Sequence, residues 1–174
     1  MKVIGTVNSR PFLGCYSVEF YSENEEQLAS LLLDSSQRDL DEYTLSYTNS
    51  TKEITFYLEG ILSKKFNIWT SASMPNWTYK RKKLIDFIFN RKTLFTHNSN
   101  YQVYESAEKL EVYEQDRKIG IAKKVYSNIR DIGEYYISFA DSKYLEIFLT
   151  LGAILILQTE VVAQREDNFY NSTS

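Results

Sequence analysis

The stretch from Tyr144 to Ala163, YLEIFLTLGAILILQTEVVA, constrains this chain most, because no other segment is so continuously apolar. Its charge-free centre, Ile147 to Thr159, is bounded by Glu146 and Glu160. As a helix rising about 1.5 Å per residue, that centre covers roughly 20 Å. This falls short of the hydrocarbon core of about 30 Å that a membrane span must cross. The apolar residues surround the helix axis instead of forming one stripe, which is the pattern of a helix enclosed by protein on every side. Asp141 or Ser142 can cap its start by accepting from the free amides of the first turn, and Glu146 sits near that positive end. A buried strand is the competing reading, since Ile154, Ile156, Val161 and Val162 are β-branched and Gly152 disfavours helix. Length decides for a helix over 142–158, and the preceding chain becomes its wrapping.

The wrapping reads as β-structure. Fourteen Tyr and ten Phe against two Pro and six Gly suit long antiparallel strands, because aromatic rings fit a half-buried pleated surface. Lys2 to Val7 opens as a strand, and Tyr16, Val18 and Phe20 alternate with polar residues in a second. Ser22 to Glu26 turns, and Leu28 to Leu33 returns, although EEQLASLLL could also begin a helix. A polar loop follows at 34–42. Tyr43, Leu45 and Tyr47, a turn at Asn49 and Ser50, then Ile54, Phe56 and Leu58 make a hairpin pattern. Phe66 to Ala72 adds a strand, and Pro75 marks a break at 73–76. Further strands are expected at 101–104, from Leu110 to Tyr113, at Ile119 to Val125, and at Tyr135, Ile137 and Phe139, the last preceded by a loop at 128–133.

At 174 residues the chain is most simply one domain with a polar tail at 164–174. Its single cysteine, Cys15, cannot close an internal disulfide, and the N-terminus carries no apolar segment with a cleavage site, so a cytoplasmic protein is expected. The net charge of −3 gives no general attraction to nucleic acid or anionic lipid, and any such partner needs a local patch. One candidate patch exists. In WTYKRKKLIDFIFNRKTLFT, residues 77–96, Lys80, Arg81, Lys82, Lys83, Arg91 and Lys92 flank an apolar centre at Leu84, Ile85, Phe87, Ile88 and Phe89, with Trp77 alongside. Basic groups beside aromatic anchors suit anionic headgroups at an interface; they also suit the solvated ends of a buried strand or short helix.

The chain divides into similar halves, about 1–73 and 77–163. VEFYSENEEQLASLLL at 18–33 can be written over LEVYEQDRKIGIAKKV at 110–125, so that Val18 meets Leu110, Phe20 meets Val112 and Tyr21 meets Tyr113, with the first turn one residue longer. Two amphipathic hairpins share such a pattern by chance as readily as by repetition. If the repeat is real, two similar sheets pack around one apolar element.

Three segments carry a resemblance to a known family: YEQDRKIGIAKKV at 113–125, YKRKKLIDFIFNRKTLF at 79–95 and FADSKYLEIFLTLGAILIL at 139–157. Together they resemble the tubby C-terminal-like superfamily, of the phospholipid scramblase and LURP-one-related type, in its small bacterial members. The resemblance implies an antiparallel β-barrel, or a strongly curled sheet, wrapped around a buried hydrophobic C-terminal helix, with no catalytic set.

Other chemistry finds little support. His97 is the only histidine and lies in a polar loop without a neighbouring nucleophile, so a Ser/His/Asp triad is not expected. One histidine and one cysteine do not make a zinc site. Cys15 reads as a small buried hydrophobe. The acidic groups at 23–26 and 39–42 lack an EF-hand's glycine and closing glutamate, and no Gly-rich phosphate loop is present. The expectation is a non-enzymatic binding module without cofactor, metal or transmembrane span. Its ligand would be anionic phospholipid at the inner membrane surface, bound through Trp77, Lys80, Arg81, Lys82, Lys83, Arg91 and Lys92, with nucleic acid not expected. The alternative is a protein-interaction module such as a toxin-neutralising immunity protein.

Overall fold

The computed structural model describes residues 1–10, 15–34, 42–48, 51, 53–59, 65–70, 77–81, 85–106, 108–126 and 133–162. Six strands come from the first part of the chain: β1 (Lys2–Arg10), β2 (Cys15–Ser22), β3 (Gln27–Asp34), β4 (Glu42–Tyr47), β5 (Glu53–Glu59) and β6 (Lys65–Thr70). Then follow β7 (Trp77–Lys80), the single helical turn α1 (Ile85–Ile88), β8 (Arg91–Phe95), β9 (Asn100–Ser106), β10 (Lys109–Glu114), β11 (Arg117–Tyr126) and β12 (Gly133–Phe139). A 3-10 turn (Ser142–Tyr144) leads into α2 (Leu145–Ile156), which ends in a π-helical turn (Leu157–Val162). Residues 49, 50 and 73–76, most of the loops expected at 34–42 and 128–133, and the tail at 164–174 lie outside the described residues, as do Lys82 and Lys83.

Each strand pairs antiparallel with its neighbour in sequence, and β1 pairs with β12 as well as with β2, through Val3↔Ile137 and Val3↔Ser22. The strongly curled sheet therefore returns on itself as a closed barrel, β1 pairing with β12 over Lys2 to Thr6. Side-chain alternation decides the interior. Val18 and Phe20 on β2, Ala29 and Leu31 on β3, Leu45 on β4, Ile54 and Phe56 on β5, and Val103 on β9 are all fully buried. The strand reading of EEQLASLLL holds for this reason, since Ala29 and Leu31 alternate inward.

The interior is filled by α2, in which every residue from Ile147 to Ile156 is buried. The stretch Ser142–Thr159 is long and apolar enough to cross a membrane by composition, but two-thirds of it is buried within the protein. Asp141 caps the entry turn, its carboxylate accepting from the Lys143 amide at 3.0 Å. Gly152 brings this helix close to β12, where a Cβ would stand 2.5 Å from Ile137 Cδ1, the far end of that side chain. On the wall, Gly120 makes room for Phe148, which stacks on Phe139 with centroids 5.0 Å apart.

The hairpin likeness extends to backbone geometry. Register slips between Phe20 and Tyr21 in β2–β3 and between Val112 and Tyr113 in β10–β11, the positions that the two sequences align. The extra residues, Leu28 and Ile119, are aligned as well, and such bulges sharpen the bend of a curling sheet. The two halves supply six strands each, but the matched hairpins are the second and third strands of one and the fourth and fifth of the other. The likeness belongs to the hairpin and does not superpose half on half.

Candidate functional site

Antiparallel order places the β7–β8 connection at the barrel end where α2 finishes. β7 is short and ends at Lys80, whose exposed ammonium lies 5.7 Å from the centroid of the outward Phe95 ring. Trp77 is half-buried and packs on the core, while Arg81 is half-buried. The connection carries α1 and then Asn90, held at φ 46°, a left-handed conformation that asparagine tolerates. At its tip Ile88 and Phe89 are 78% and 57% exposed. Of the apolar centre read from sequence, Ile88 and Phe89 therefore lie on the surface.

Two ionic contacts anchor this tip. Asp86 is almost wholly buried, and its Oδ1 accepts from Arg91 Nε at 2.8 Å and from Nη2 at 2.6 Å. That bond, with a second to Tyr104, raises the Arg91 guanidinium above its usual range. Behind it, Lys92 points inward. Alternation on β8 puts Lys92 on the face of Leu94, and both are fully buried. Lys92 Nζ lies 3.0 Å from Glu105 Oε1 and 4.8 Å from the centroid of the Tyr79 ring. The same oxygen accepts from Tyr79 OH at 2.6 Å and from Gln158 Nε2 at 3.3 Å, which ties the end of α2 to β9. Burial, reinforced by the Glu105 charge and hydrogen bond, pushes the Tyr79 phenol well above its ordinary range.

The residues expected to face a ligand together are therefore divided. Lys80 is free to meet solvent, Arg91 is engaged by Asp86, and Lys92 is enclosed, so Lys92 cannot touch an external headgroup. Its place was foreshadowed by its spacing of two from Leu94. Glu105, Tyr79 and Gln158 carried no such signal, because their partners lie far away in sequence. The side chain of Cys15 is outside the described set, and His97 is exposed in the β8–β9 turn. Among the described residues no group of His, Cys, Asp and Glu could hold a metal ion. Compared with models of known families, with curated proteins and with solved structures, the chain has no match.

Proposed function

We propose that this protein is a non-enzymatic binding module that docks on anionic phospholipid through the basic aromatic segment that joins β7 to β8. The exposed Ile88 and Phe89 carry this reading. Two adjacent large apolar side chains on a solvated turn are costly unless another phase receives them. Lys80 is exposed at the end of β7, the strand before this turn, and Lys82 and Lys83 lie between them in sequence. Apolar residues entering the acyl boundary while cations meet headgroups is how peripheral proteins hold a membrane, each basic group near the surface contributing about 1 kcal/mol. Kinship with the tubby C-terminal-like superfamily is part of the proposal, supported by the barrel wrapped around an apolar C-terminal helix.

Sedimentation with vesicles of phosphatidylcholine and increasing phosphatidylserine tests it. Binding should rise with the anionic fraction, and changing Lys80, Lys82 and Lys83 to Ser should remove its salt-sensitive part. Ile88→Ser with Phe89→Ser should weaken binding at every salt concentration. Exposed groups contribute little to stability, so melting temperatures should stay within a few degrees of the parent. Failure of the unmodified protein to bind strongly anionic vesicles would overturn the lipid reading and favour a protein partner at this tip.

A further inference from the structure

A concavity lies on the outer wall of β9 and β10. It is an open depression of about 290 Å3 lined by Gln102, Tyr104, Glu111, Tyr113 and Asp116. Sheet register builds it. Gln102 pairs with Tyr113, and Tyr104 with Glu111, so four outward side chains form a square closed on one side by the β10–β11 turn. That turn holds Gln115 and Asp116 at φ 47° and 65°. The two tyrosines occupy one diagonal, their centroids 5.2 Å apart and their planes at 77°, giving two walls at nearly a right angle. Tyr104 is further fixed by its hydrogen bond with Arg91, itself held by Asp86.

Aromatic walls with carboxylates and an amide suit two ligand chemistries: an organic cation, or a sugar ring that lays its C–H face on an aromatic and bonds its hydroxyls at the edges. The charges choose between them. Glu111 Oε1 lies 2.7 Å from Lys118 Nζ and 3.1 Å from Lys109 Nζ. These two ammoniums hold the Glu111 carboxyl below its usual range. Asp116, the remaining carboxylate, is followed directly by Arg117 and Lys118. An incoming cation meets three cationic side chains, Lys109, Arg117 and Lys118, against two carboxylates, whereas a neutral ring meets two tyrosines and the polar groups of Gln102, Glu111 and Asp116. The volume sits just under the range of about 300–1,000 Å3 usual for small-molecule clefts, so a single ring fits better than a larger ligand. The geometry points to a subsite for one neutral, polyhydroxylated ring, such as a pyranose, on the outer face of β9 and β10. This site does not include the exposed Ile88 and Phe89 on which the lipid reading rests.

Amide NMR of the intact chain tests it, with glucose, galactose, N-acetylglucosamine and their methyl glycosides titrated separately and with choline and methylguanidinium as cationic probes. At least one sugar should give saturable shifts confined to β9, β10 and residues 115–116, and the cations should give none. Tyr113→Ala should abolish the shifts, and Asp116→Asn, which keeps a residue tolerant of positive φ, should weaken them several-fold. Gln102→Ala gives an equivalent reading should Tyr113→Ala lose its fold. Ile88→Ser with Phe89→Ser should leave the shifts unchanged, which separates this site from the membrane-docking tip. Absence of saturable shifts with every sugar, sugar shifts indifferent to Tyr113→Ala and Gln102→Ala, or binding of the cations alone would overturn it.

Discussion

Single positions in this barrel differ by what an added atom would strike, and the two glycines facing each other's elements separate the cases. At Gly120 a Cβ would lie 2.4 Å from Phe148 Cζ and 2.4 Å from the Ser138 carbonyl oxygen. The second contact is backbone within the β11–β12 ladder and cannot swing aside. At Gly152 the close contact, 2.5 Å, is with Ile137 Cδ1, the far end of a side chain that can rotate. Overpacking a dense core costs about 1–3 kcal/mol, while Gly→Ala within a helix recovers up to about 1 kcal/mol. Gly120→Ala should therefore lower the unfolding free energy by about 2 kcal/mol or more, and Gly152→Ala should stay within about 1 kcal/mol of the parent. Urea unfolding of both variants decides this, and equal losses would refute the distinction. Such detail was not legible in the sequence. Gly152 registered only as a poor helix residue, because the reason for it sits on another strand. Lys92 was legible only to parity, since nothing local identifies Glu105 as its partner.

Elements were read more reliably than single residues, and the reason is periodicity. Strands β2, β4, β5 and β12 announce themselves through Val18 and Phe20, Tyr43 and Leu45, Ile54 and Phe56, and Tyr135, Ile137 and Phe139, all of them buried. The helix announces itself through length and unbroken apolarity. The segment at 77–95 defeated the same logic because it packs three elements into few residues. In so short a span a helical turn and two strand ends share one apolar run, and no period tells an inward Leu94 from an outward Phe89. The helix remains the element on which the others depend. Leu151 is fully buried and Leu155 nearly so. A carboxylate placed there has no partner, and its desolvation costs several kcal/mol or more, comparable to the entire stability of a domain. Leu151→Asp and Leu155→Asp should each abolish cooperative unfolding by circular dichroism. A soluble variant with a normal transition would show that α2 is not the core.

At the scale of the whole barrel, buried tyrosines stand near both ends of α2 and make the fold sensitive to alkali. Tyr79 is fully buried beside Glu105 near the end of α2. Tyr47, half-buried, has its phenol pushed far above the usual value by burial and, secondarily, by the Glu146 charge in the first turn of α2. Burial also raises Tyr101, whose ring meets Tyr144 edge-on at 6.4 Å. In the unfolded chain these phenols ionise near pH 10, while in the barrel they keep their protons to higher pH. Between those limits the folded state binds more protons than the unfolded one, so stability is fully present below about pH 10 and falls as pH rises beyond it. Each group contributes a slope of at most about 1.4 kcal/mol per pH unit, and the partial exposure of Tyr47 reduces its share. The melting temperature should accordingly change little up to about pH 9 and drop steeply by about pH 11.5. Tyrosine absorbance should show phenols that ionise only as the barrel unfolds. Tyr79→Phe should melt slightly lower than the parent at neutral pH, having lost a hydrogen bond of about 1 kcal/mol, yet should lose less stability between neutral and alkaline pH. Equal alkaline losses in parent and variant would mean that Tyr79 does not carry the effect, and an unchanged melting temperature at about pH 11.5 would refute the linkage altogether.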